Sequence, residues 1–139
     1  MGKVFEKIKI YNLFDIEKAE QGLIKESQIR HVEVEGLIDT GATLLQLPQE
    51  IVNILGLKVY REVTAKYADG RKGKKGVAYG ALIKILGREA TVECVVEPEN
   101  KQVLIGQIPL EAMDLVVDCR TNKLGPRPES PDIAMIDMF

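Results

Sequence analysis

The first feature of this sequence that could do chemistry is a carboxylate at the end of an apolar run. In Leu37-Ile38-Asp39-Thr40-Gly41-Ala42-Thr43, aliphatic residues precede Asp39 and a glycine two places later lets the chain turn sharply. The small side chains around it leave room for another backbone to approach. A carboxylate held there can take or give a proton. On its own the tripeptide Asp39-Thr40-Gly41 also reads as a turn following a strand, because Asp and Gly are common turn formers.

Rival constellations are weak. The lone His31, between Arg30 and Val32, has no Ser-His-Asp or Cys-His partners that the sequence identifies and reads as a surface histidine. There is no H-E-x-x-H, no clustered Cys/His and no G-x-x-x-x-G-K-[ST], so zinc and nucleotide-phosphate chemistry lack support and no metal or cofactor is expected. The stretch Arg71-Lys72-Gly73-Lys74-Lys75 could touch phosphates, but a charge run on a hairpin tip reads first as a solvated loop. The acid pairs Asp114 with Asp118, and Glu97 with Glu99, read as surface charge.

The elements that must position Asp39 are short strands. Val4, Ile8 and Ile10 share one face of an N-terminal strand, and after Ile29 the residues Val32 and Val34 oppose Glu33 and Glu35. Ala81, Ile83 and Ile85, then Ala90, Val92, Cys94 and Val96, alternate with polar neighbours across a turn at Gly87-Arg88, which predicts a hairpin with Cys94 in the core. Pro48 suits a first helical position, Ile51, Ile54 and Leu55 fall on one face, and Gly56 can close the helix. A shorter helix begins near Pro109 with Leu110 and Met113 inward, before Leu115-Val116-Val117 resumes extended structure. Residues 12–27 fit either a helical turn or an insertion loop. The glycines between Tyr67 and Gly80 predict a mobile, hydrated segment that does not pack. Three prolines between Gly125 and Pro131 predict an arm, after which Ile133 and Met135 want a partner surface.

With 139 residues the chain suits one domain, and its aliphatic, aromatic-poor composition suits a core built on strands. The formal net charge of −2 gives no general field towards nucleic acid or an acidic membrane, so neither is an expected partner. Cys94 and Cys119 lie in no metal spacing or secreted framework and are expected to be reduced, buried thiols. The N-terminus lacks a long apolar run, and no stretch approaches the roughly 18 apolar residues of a membrane span. These features predict a cytoplasmic protein.

Order along the chain gives the Asp39 segment its meaning. Two hydrophobic residues and Asp39-Thr40-Gly41-Ala42 are followed much later by Val103-Leu104-Ile105-Gly106 and a short helix. From about Val32 to Val117 this arrangement resembles the retropepsin family, the retroviral aspartic proteases and their cellular and prokaryotic relatives. Ala42 favours the retroviral branch over the pepsin branch. The resemblance implies an all-β dominated fold, a small closed β-barrel-like lobe with one or two short helices. Residues 1–139 would form one domain, with an N-terminal strand and insertion over 1–28 and a C-terminal arm over 125–139.

The resemblance also implies roles. Asp39 would be the catalytic carboxylate, Thr40 would brace the loop against its symmetry mate, and Gly41 would offer backbone contact to substrate or water. Ala42, Asp69, Gly70 and Ile105 would belong to the substrate-binding set, with a flap over residues 66–79, its tip between Asp69-Gly70 and Gly76, and Ile105-Gly106 buttressing the loop. The chain has a single Asp-Thr-Gly, so a second carboxylate would come from another copy. In such a homodimer two Asp39 carboxylates share a proton and activate a water against a peptide bond. The rival expectation is a catalytically silent dimeric scaffold that binds a peptide or protein.

Three departures from the viral pattern stand out. Gln107-Ile108-Pro109 replaces the Arg that ties viral dimers, Thr43-Leu44-Leu45-Gln46 replaces acidic residues that contact substrate backbone, and the flap tip is charged. Residues 132–139 would either interleave at a dimer interface or cover the core.

Overall fold

The computed structural model describes residues 3–138. Nine strands and three short helices follow in the order β1 (Phe5–Asn12), α1 (Leu13–Glu20), β2 (His31–Ile38), β3 (Leu45–Pro48), α2 (Gln49–Leu55), β4 (Lys58–Lys66), β5 (Lys72–Ile85), β6 (Arg88–Glu97), β7 (Val103–Ile105), α3 (Gln107–Met113), β8 (Leu115–Asp118) and β9 (Lys123–Pro126), with a 3-10 turn at Glu26–Gln28. Strands β1, β2, β7, β3, β6 and β5 pair in that order, and β1 pairs again with β5, so six strands close a barrel. Closure removes the exposed sheet edges that an open sheet would present. Strand β4 hangs outside the ring as the partner of β5, and β8 and β9 form a separate hairpin.

The alternation expected from the sequence supplies the barrel interior. Ile8, Ile10, Leu45, Leu47, Ile83, Ile85, Cys94 and Ile105 are fully or almost fully buried there. Burial pushes the Cys94 thiol up to about 12, whereas Cys119 is exposed rather than buried; neither is in a disulfide. The β5–β6 turn is centred on Leu86 and Gly87, one residue earlier than expected, and both have positive φ. Helix α2 ends at Gly56 in the left-handed conformation, as expected. Its inward residues are Val52 and Leu55, while Ile54 is 52% exposed. Ile54 satisfies the helical spacing but faces solvent.

The ambiguous segment 12–27 opens with a helix, α1, and continues through turns to the 3-10 turn at Glu26–Gln28. Asn12 caps α1, its side chain accepting from Asp15 N–H at 3.0 Å while its amide donates to the Leu55 carbonyl at 2.8 Å. One buried side chain thereby joins the start of α1 to the end of α2. The glycine-rich segment is also ordered. Gly73 and Gly76 pair within the β4–β5 ladder, and Val77 and Ala78 are fully buried. Backbone hydrogen bonds to β4, and to β6 from Val77 onward, hold a stretch whose composition favours mobility. Gly80 sits at a bulge with φ +93, where a Cβ would meet the Phe14 ring at 2.6 Å.

The arm is structured where it leaves the barrel. Asp114, expected at the surface, is buried to 6% exposure. It caps α3 in the left-handed conformation and gathers Arg127, the Ser130 hydroxyl and the Met135 amide on its carboxylate. Arg88 donates to the carbonyls of Met113, Asp114 and Ser130. These partners lie 13 or more residues away in sequence, beyond the reach of a local pattern. Ile133, Ile136 and Met138 remain exposed and do not cover the core, and Phe139 lies outside the described residues. Among the described residues, no helix is long and apolar enough to cross a membrane.

Candidate active site

Asp39 follows the last residue of β2, where β2 lies parallel to β7 and β7 lies between β2 and β3. The strand before the loop and the strand after it are thus joined through Val103–Ile105. Leu37 and Ile38 pair with Leu104 and Ile105, and the ladder runs one step further as Asp39 N–H donates to the Ile105 carbonyl at 3.0 Å. Gly36 is buried against this strand, because a Cβ there would lie 2.8 Å from Ile105 Cδ1.

The loop then turns on itself. Ala42 N–H donates to the Asp39 carbonyl at 3.1 Å, and Gly41 N–H donates to Asp39 Oδ1 at 3.0 Å. The second bond fixes the carboxylate side chain to its own loop. From the other side α3 presents its first amides: Gln107 donates to the Ala42 carbonyl at 2.8 Å and Ile108 to the Thr43 carbonyl at 2.9 Å. A helix start leaves such donors without intrahelical partners, and here the loop takes them. This explains why α3 begins two residues before Pro109, which occupies a first-turn position where a missing N–H is harmless. Gly106 permits the approach, since a Cβ would come within 2.5 Å of the Leu44 carbonyl oxygen.

Two clefts meet at Asp39. One, of about 560 Å³, is lined by Asp39, Gly41, Ala42 and Leu44 on the loop side and by Val63, Ala65 and Tyr67 from the β4–β5 hairpin. The other, of about 520 Å³, is lined by Asp39 and Thr40 together with Val4, Leu37, Leu110 and Val116. Asp39 is half-buried and Thr40 exposed. The structure therefore brings Asp39, Gly41 and Ala42 to one cleft and Thr40 to its neighbour. Ile105 is fully buried and meets the loop through its carbonyl, so its side chain does not line either cleft.

Asp69 and Gly70 lie at the hairpin tip, where Asp69 pairs with Arg71 at 2.7 Å. The Arg71 amide, followed by its guanidinium, holds the Asp69 carboxyl below the usual range. Gly76 is not near the tip but opposite Glu62 in the stem, where a Cβ would lie 2.9 Å from Val59 Cγ1. The hairpin wall of the larger cleft runs from Val63 in the stem to Tyr67 and Ala68 at the start of the tip turn, so it begins a little before the expected flap of residues 66–79.

Sequence reasoning missed two cleft-lining residues. Glu97, expected at the surface, is buried and pairs with Lys75 at 3.2 Å. Both line the cleft that contains Asp39. Burial pushes the Glu97 carboxyl up, but the Glu99 amide, the Lys75 ammonium and the Tyr67 hydroxyl outweigh it and keep it below its ordinary value. Burial likewise pushes Lys75 down, and Tyr67 and Glu97 outweigh it to leave Lys75 raised. Both groups are charged at neutral pH. No local pattern signalled this, because Lys75 lies on β5 and Glu97 on β6 and each keeps the alternation of its own strand.

His31 is exposed and stacks on Tyr11. Among the described residues, no three His, Cys, Asp or Glu side chains converge in a way that could hold a metal ion. A family model described as gag-polyprotein putative aspartyl protease matches residues 26–112, which takes in the Asp39 loop, the hairpin, β7 and most of α3. Comparison with curated protein sequences gives no match.

Proposed function

The chain belongs to the retropepsin-like aspartyl protease family, and on that premise we propose that it is an aspartic endopeptidase whose active site is shared by two copies. The observation that carries this reading is the position of Asp39 on the boundary of two clefts, with its carboxylate oriented by Gly41 N–H. The larger cleft has the hairpin wall suited to an extended peptide. The smaller one, beside exposed Thr40, leaves space for the same loop of a second copy.

Two Asp39 carboxylates facing each other across a two-fold axis cannot both ionise easily and hold one proton between them. The ionised partner draws a proton from water, and the protonated one donates to the carbonyl oxygen of the scissile peptide. Thr40 braces one loop against the other in this arrangement, and Ala42 lines the peptide cleft. Asp69 and Gly70 meet the substrate when the hairpin closes, and Ile105 supports Asp39 from beneath. A dimer without the viral Arg would draw its contacts from the apolar rim of the smaller cleft and from exposed residues such as Ile133 and Ile136.

The test is cleavage of a random peptide pool by wild type and Asp39→Asn from about pH 3 to 8, with oligomeric mass recorded in the same samples. Cleavage by a dimer that disappears in Asp39→Asn supports the shared-carboxylate mechanism. A stable dimer that binds peptides and never cuts them in an Asp39-dependent way replaces it with the binding-scaffold reading.

A further inference from the structure

Lys75 and Glu97 face the peptide cleft without belonging to the Asp39 loop. Their side chains are only 15% and 7% exposed. Glu97 accepts from Lys75 Nζ at 3.2 Å, from Tyr67 Oη at 3.2 Å and from the Glu99 amide at 3.3 Å, which uses most of the directions its two oxygens offer. Lys75 has three N–H donors, and one of them serves Glu97. Val63, Val95 and Leu104 line the same cleft, together with the polar side chains of Gln46 and Thr64.

An apolar pair would build the same wall without desolvating two charges, so holding β5 against β6 does not account for the pair. Its geometry is that of a held cation. Glu97 and Tyr67 orient the ammonium, and the partly desolvated cleft strengthens whatever it next meets. Lys66 lines the same cleft and adds a second positive charge.

We propose that Lys75, oriented by Glu97 and Tyr67, is a specificity-determining residue that reads an acidic side chain, Asp or Glu, of a peptide lying in the Asp39 cleft. The inference rests on the peptide-binding part of the proposed function and not on hydrolysis. The substrate carboxylate takes the remaining donors of Lys75, while Glu97 keeps the ammonium charged and in place.

The experiment captures peptides from a random dodecapeptide pool on immobilised Asp39→Asn protein of residues 1–139 and sequences what is retained. Asp and Glu are expected to be enriched about tenfold or more over Asn, Gln and Leu. In the same background Lys75→Met is expected to abolish the enrichment, and the exchange K75E/E97K, which restores an ion pair with reversed orientation, is expected to shift it to Lys and Arg. The exchange also keeps the test informative if Lys75→Met unfolds. Captured peptides with no acidic preference, or with the same preference in Lys75→Met, overturn the inference and leave the peptide-binding reading standing. Capture of nothing overturns both.

Discussion

The Gln107 amide donates to the Ala42 carbonyl across 2.8 Å, so the two glycine-bearing motifs of the chain are bonded to each other although 65 positions separate them. Asp39 is held at three points: the Ile105 carbonyl behind it, the α3 amides beneath its loop, and its own Gly41.

Gly106→Ala tests that arrangement. A Cβ would meet the Leu44 and Ala42 carbonyl oxygens at 2.5 and 2.8 Å, and both are backbone atoms with no side-chain rotamer to escape into. The loop must move away from α3, at a cost of about 1–3 kcal/mol. Because displacement of a catalytic group by about 1 Å can cost a hundredfold in rate, Asp39-dependent cleavage is expected to fall by at least that factor. Gly125→Ala, where a Cβ meets nothing within 4 Å, is the control and is expected to keep both stability and cleavage. Urea unfolding and peptide-pool cleavage of the two variants check the difference. Equal behaviour would mean that the loop does not depend on its contact with Gly106.

The turn between β5 and β6 allows a stabilising change. Leu86 has φ +51 and Gly87 φ +79, the two positive values of the hairpin turn in which Asn-Gly is favoured. A branched side chain is disfavoured in that conformation, and Leu86 is half exposed, so it contributes little to the core. Leu86→Asn is expected to raise stability by about 0.5–1 kcal/mol. The urea midpoint should rise with an unchanged slope, and a fall would show that Leu86 packs against something of greater worth.

Sequence order reveals more of this protein than sequence pattern does. The strands were legible because Val4, Ile8 and Ile10, or Ala81, Ile83 and Ile85, must alternate to fill a barrel. The Asp39 loop stood out through resemblance, because Asp39-Thr40-Gly41-Ala42 and the later Ile105-Gly106 follow the order of a known family, whereas the tripeptide alone reads equally as a turn. Long-range polar contacts left no such trace. Nothing near Asp114 in sequence shows that Arg88, Arg127 and Ser130 converge on it, and nothing near Glu97 shows that Lys75 faces it from the neighbouring strand. The glycines before Gly80 misled for a related reason. Local composition favours mobility there, but pairing with β4 and β6 decides the outcome.

Asp114 gives the fold a dependence on acid. The Ser130 hydroxyl, the Met135 amide and the Arg127 guanidinium all stabilise its charged form, and together they bring the carboxyl down to about 2 from an ordinary 3.8. A carboxyl depressed by folding contributes stability that is fully present above its unfolded value and is lost as pH falls through the folded one. The loss should therefore develop from about pH 4 down to about 2. It should show first in the arm, because Ser130, Met135 and Arg127 all belong to the segment after β9. Hydrogen exchange and limited proteolysis are expected to report opening of residues 127–138 in this window while the barrel amides stay protected. Asp114→Asn should open the same segment at neutral pH and flatten the acid dependence between pH 4 and 2. An arm that stays protected in Asp114→Asn would mean that Arg88, through its bonds to the Ser130, Met113 and Asp114 carbonyls, is sufficient to hold it.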